Sequence, residues 1–173
     1  MTEKPAFTLV ELLIAITVFS IFIAFGMTSF SVFHGVQLDA AASRDMMFEL
    51  NQNMELIREA VKENKIDFEN SSGTSLALLS LDESESIIFV WDSDAETLTL
   101  RKTGMDEAIL LHSDAIKVKN LSFRVFPTED PYDGGKDFYQ PNVKVEMTYS
   151  TPGRAKPEIA IDLESTITSR VYQ

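Results

Sequence analysis

The chain has 173 residues and a formal charge of −12, from 27 acidic and 15 basic side chains, with two histidines and no cysteine. Disulfides and thiolate chemistry are therefore excluded, and the acidic balance argues against a direct grip on nucleic-acid phosphates, which takes clustered Lys and Arg. His34 and His112 are far apart in sequence, and none of the H-E-x-x-H, G-x-S-x-G or G-x-x-x-x-G-K-[ST] signatures occurs, so no enzyme is expected.

In chain order, residues 1–6 (Met-Thr-Glu-Lys-Pro-Ala) are short and polar. From Leu12 to Phe33 there is no Asp, Glu, Lys, Arg or His. As a helix rising ~1.5 Å per residue this run measures roughly 33 Å, against a bilayer core of ~30 Å. A cleaved secretory signal would have an apolar stretch of about 7–15 residues and a small-residue cleavage site. Here the run is longer and ends on Phe30-Ser31-Val32-Phe33-His34-Gly35 without such a site, so the segment is expected to be retained. Lys4 and the terminal amine place the N-terminus in the cytoplasm by the positive-inside rule. Glu11 sits at the edge of the run, where desolvating a carboxylate costs free energy and calls for a partner.

These first residues resemble a known family. A polar leader with Lys4, the small Ala6, and then Phe7-Thr8-Leu9-Val10-Glu11-Leu12-Leu13-Ile14 opening an unbroken apolar helix is similar to the class III signal of type IV pilins and type II secretion pseudopilins. The resemblance implies cleavage by a prepilin peptidase between Ala6 and Phe7 and methylation of the new Phe7 amine. It implies that Glu11 pairs with that amine on a neighbouring subunit during assembly. It also implies, as partners, other pilin or pseudopilin subunits, a membrane platform protein, an assembly ATPase and membrane lipid. Ala6 departs from the glycine usual before the cut.

No proline occurs between Pro5 and Pro127, so nothing in that interval removes a helical N–H. Beyond Gly35, Leu38, Met47, Leu50, Met54, Ile57 and Val61 recur at spacings of mostly three and four, an apolar stripe with charged residues around it. One helix from about residue 8 to about 66 is expected, roughly 90 Å long. Gly26 and Gly35 are its softest points, each costing ~1 kcal/mol relative to alanine. The family resemblance implies that this zone partly unwinds in a filament, and Gly26 is the better candidate because it lies inside the apolar half. The stripe from Met47 to Val61 represents about 7–15 kcal/mol of burial and needs a sheet to cover it.

Asn70-Ser71-Ser72-Gly73 reads as a loop, and Leu76–Leu81 as either a helical turn or an apolar plug under the sheet. The period then changes to two. Ile87–Trp91 and Thr97–Leu100, joined through Asp92-Ser93-Asp94-Ala95, form a predicted hairpin. Alternation at Leu121/Phe123/Val125, at Val143/Val145/Met147/Tyr149 and at Ile159/Ile161/Leu163 predicts three more strands, each with one wet face. The fold class is therefore α+β: a long N-terminal helix, half transmembrane and half amphipathic, packed on one C-terminal antiparallel sheet. The end of the chain is also similar to that of minor pseudopilins of the J type.

The expected divisions are a leader over residues 1–6, a membrane and assembly segment over 7–35, and a soluble domain over 36–173. The expected function is that of a structural subunit of a type IV pilus or type II secretion-type pseudopilus. It would sit in the cytoplasmic membrane before assembly and in an extracytoplasmic filament afterwards. The alternative is a single-pass anchored protein whose acidic domain binds a ligand or partner. No cofactor is expected. Asp130, Asp133 and Asp137 could supply oxygens to calcium, but Lys136 sits among them and a solvated turn is the simpler reading.

Overall fold

The computed structural model describes residues 8–131, 139–152 and 158–171. One helix, α1, runs unbroken over Leu9–Glu63, 55 residues or about 80 Å. It ends three residues before the expected point because Asn64 leaves helical geometry. The backbone N–H and side-chain amide of Asn64 both donate to the Ala60 carbonyl, at 3.1 and 2.9 Å, satisfying an acceptor that the last turn would otherwise orphan. Lys65–Ile66 then forms the first short strand, β1.

The strands that follow are β2 (Ser75–Leu79), β3 (Ser86–Asp92), β4 (Thr97–Lys102), β5 (Ile109–Leu110), β6 (Lys117–Phe126), β7 (Asn142–Thr151) and β8 (Ile159–Thr168). The predicted hairpin is β3–β4, with Asp92 opposite Thr97 and Phe89 opposite Leu100. The Asp92 carboxylate accepts from the amides of Asp94 and Ala95, so the turn itself accounts for the acidic residue at its start. The three alternating segments are β6, β7 and β8, paired antiparallel with Leu121 opposite Met147 and Met147 opposite Leu163. Val143, Val145, Met147 and Tyr149 of the central strand are all buried.

Three expectations are corrected. The strands form two antiparallel sheets, β1-β2-β3-β4-β5 and β6-β7-β8, rather than one. They meet along β6, where the amides of Val118 and Phe123 donate to the carbonyls of Glu96 and Gly73, both at 2.9 Å, and Trp91 Nε1 donates to the Val118 carbonyl at 2.9 Å. Leu76–Leu81 is neither turn nor plug: its first four residues belong to β2, a strand paired on both sides. Leu76, Ala77 and Leu78 are buried in succession, so this strand has no alternation to read. Finally, the helix stripe contains Met46, not Met47. Met46 is fully buried whereas Met47 is half exposed. Both precede Leu50 by a spacing compatible with a helix, and contact with the sheets selects the residue four back.

Helix and sheets share one core, with Met46, Leu50, Met54, Ile57 and Val61 packed among Leu76, Leu78, Phe89, Leu98 and the inward residues of β6 and β7. Within it lies a polar link absent from the stripe. Asn53 is buried, and its amide donates to the Leu111 carbonyl at 2.5 Å and to the Tyr149 hydroxyl at 2.8 Å. Burial pushes the Tyr149 hydroxyl up to about 12, while the Asn53 donor works in the opposite direction. A phenol raised from its unfolded value near 10 contributes stability that is complete below pH ~10 and is lost as pH climbs toward 12. The folded domain is accordingly expected to weaken between those limits, with Tyr149→Phe flattening that loss in an alkaline titration followed by Trp91 fluorescence.

Candidate assembly site

Among the described residues, the apolar N-terminal half of α1 packs against no other element of the chain. From Leu9 to Val36 every large apolar side chain is exposed, including Phe19, Phe22, Phe25, Phe30 and Phe33. Such an area far exceeds the few hundred Å² that soluble monomers present to water. Lipid or neighbouring helices must cover it. Length and composition suit a membrane span. The hydroxyls of Thr17, Ser20 and Thr28 fold back onto the carbonyls of Leu13, Ile16 and Ala24 at 2.8–2.9 Å, so they need no outside partner in hydrocarbon.

Glu11 is the charged exception, and it has a local role that the apolar pattern did not reveal. Thr8 is the N-cap residue. Its hydroxyl accepts from the Glu11 amide at 3.3 Å. In return Glu11 Oε2 accepts from the Thr8 amide and hydroxyl, both at 3.0 Å. This is a capping box, legible in the T-x-x-E spacing of Thr8 and Glu11. Among the described residues Oε2 alone is engaged and no cation reaches the carboxylate. Glu11 also heads a shallow groove of about 490 Å³ along the helix, formed with Ile14, Ala15, Val18, Phe19 and Phe22. A carboxylate thus lies at the end of an apolar face suited to another helix, with one oxygen unengaged among the described residues.

Other expected site residues fall as follows. Ala6 and Phe7 lie outside the described residues, as do Asp133 and Asp137 of the calcium proposal. Helix α1 passes through Gly26 without interruption, and a Cβ added there would meet nothing within 4 Å. Close packing inside one chain therefore does not account for that glycine. His34 stacks on Phe30, with ring centroids 6.2 Å apart. His112 is half-buried just after β5, with Nδ1 3.0 Å from the Ser113 carbonyl and Nε2 buried without a partner among the described residues. No group of three or more His, Cys, Asp or Glu side chains able to hold a metal occurs among the described residues.

No curated protein and no solved structure matches the chain. A family model, the prokaryotic N-terminal methylation motif, matches residues 3–27, which cover the expected cut, the capping box and most of the exposed apolar helix. On a pilin-like α+β scaffold, the chain thus carries the N-terminal methylation motif that is the hallmark of type IV pilins and pseudopilins.

Proposed function

We propose that the chain is a structural subunit of a type IV pilus or a type II secretion-type pseudopilus. A prepilin peptidase cuts it between Ala6 and Phe7 and the Phe7 amine is methylated. It waits in the cytoplasmic membrane with its N-terminus on the cytoplasmic side. It then enters a filament by bundling of the apolar half of α1, while residues 36–173 form the outer domain. The observation that carries this reading is Glu11, a carboxylate at the head of an exposed apolar helix face with one oxygen unengaged and no cation in reach among the described residues. Within a bundle, the Phe7 amine of a neighbouring subunit is the cation that would neutralise it. Gly26 would let the helix loosen inside that bundle, at the low helix propensity of glycine.

The mass of the N-terminal peptide, from protein extracted from membranes that contain the peptidase, tests the proposal. A chain beginning at methylated Phe7 is expected. An intact Met1 would overturn the reading and favour a plain membrane-anchored binding protein.

A further inference from the structure

The outer part of α1 presents two unlike faces. On one, Phe48 and Leu56 of α1 with Leu110 of β5 line an open groove of about 960 Å³, rimmed by the carboxylates of Asp45, Glu49, Glu55 and Glu59. Phe48 is 69% exposed, an unusual state for an aromatic on the amphipathic half of the helix. Glu49 accepts from the Ser113 amide at 3.0 Å, and Glu55 pairs with Arg58, whereas among the described residues no cation pairs with Asp45, Glu49 or Glu59.

The other face lies near the C-terminal end of α1. Arg58 and Lys62 meet Arg170, just beyond β8, around a pocket of about 370 Å³ with Gln140 and Thr168. Among the described residues its lining contains no carboxylate, although acidic residues outnumber basic ones 27 to 15 in the chain. Arg58 is paired with Glu55, whereas among the described residues neither Lys62 nor Arg170 has a carboxylate partner. Tyr139, 60% exposed, stands next to Gln140 in the chain. Arginine and an exposed tyrosine are the residue types that most often anchor protein interfaces.

We infer that the basic pocket and Tyr139 of one copy dock into the acidic apolar groove of a second copy of this chain. Charge complementarity selects this occupant: each face would repel its own kind, and each finds its opposite on the same molecule. At about 100° per residue, Arg58 and Lys62 point roughly 120° away from Gln52 and Leu56 around the axis, and they lie about 9 Å further along it. The contact is therefore heterologous, leaving a free groove at one end and a free pocket at the other, and it can propagate. The inference rests on the filament-subunit reading, because copies anchored in one membrane with parallel helices bring the two faces to neighbouring heights.

The absence of cysteine makes the test clean, since introduced thiols are the only ones in the chain. Gln52→Cys marks the groove and Gln140→Cys marks the pocket, and neither removes a charge. In cells that assemble the filament, the double variant treated with a short thiol cross-linker is expected to give a ladder of dimers, trimers and larger species. The two single variants co-produced should stop at dimers, and each alone should give none. Lys62→Glu with Arg170→Glu should cut the ladder about five- to tenfold, and adding Asp45→Lys with Glu59→Lys should restore it. Dimers from a single variant would overturn the proposal in favour of a symmetric contact. A missing ladder in chains processed at Phe7 and recovered in filaments would overturn this contact alone. A missing ladder in chains that retain Met1 would overturn it together with the filament reading.

Discussion

Glu11→Gln is expected to leave membrane insertion and cleavage intact while excluding the chain from filaments. Leaving one partner of a buried ion pair without the other costs ~3–5 kcal/mol, which corresponds to a loss of roughly two to three and a half orders of magnitude in neighbour binding. The capping box makes this substitution informative. Glutamine serves at the third helical position of such a box as glutamate does, so the amide of Thr8 keeps an acceptor and the helix keeps its start. Only the charge is lost. Glu11→Ala removes both charge and cap, and Thr8→Ala removes the cap while leaving the charge, at about 1 kcal/mol. The relevant measurement is the ratio of subunit in sheared filaments to subunit in membranes. If the E11Q chain enters filaments as well as the parent, the intersubunit pair is not what Glu11 provides, and its role reduces to the cap.

The second large effect is expected at Asn53. Asn53→Ala strips the Leu111 carbonyl and the Tyr149 hydroxyl of a shared donor inside the core, and each buried group left unsatisfied costs ~1–3 kcal/mol. A loss of about 2–4 kcal/mol in denaturant unfolding of the detergent-solubilised chain should follow, a large part of a typical domain's stability. Tyr149→Phe removes one of the two orphaned groups in advance, so the double substitution should cost less than the sum of the singles. Strict additivity would mean that the three groups do not act as one network. The same link positions the segment after β5, including His112, against α1, so the acidic groove should lose its shape along with the stability.

What the amino-acid sequence determined by itself follows from local periodicity and local chemistry. An unbroken apolar run at helical rise forces a rod of membrane length. The T-x-x-E spacing starts that rod at Thr8. Alternation at Val143, Val145, Met147 and Tyr149 declares a half-buried strand, because successive side chains must face opposite sides of a sheet. The methylation motif is likewise a local pattern, and residues 3–27 contain all of it.

Tertiary structure alone decided the rest. Met46 and Met47 are equally compatible with a helical stripe, and only contact with the sheets chose between them. β2 shows no alternation because Leu76, Ala77 and Leu78 are all buried, so periodicity could not separate strand from plug. The division into two sheets depends on which edges meet along β6, a matter of long-range hydrogen bonds that no window of sequence contains. Asn53 reads as one more polar residue on a charged helix until Tyr149, 96 residues later, arrives to share its amide. The groove and the basic pocket are of the same kind, since Leu110 and Arg170 join α1 only after the chain has folded back on it.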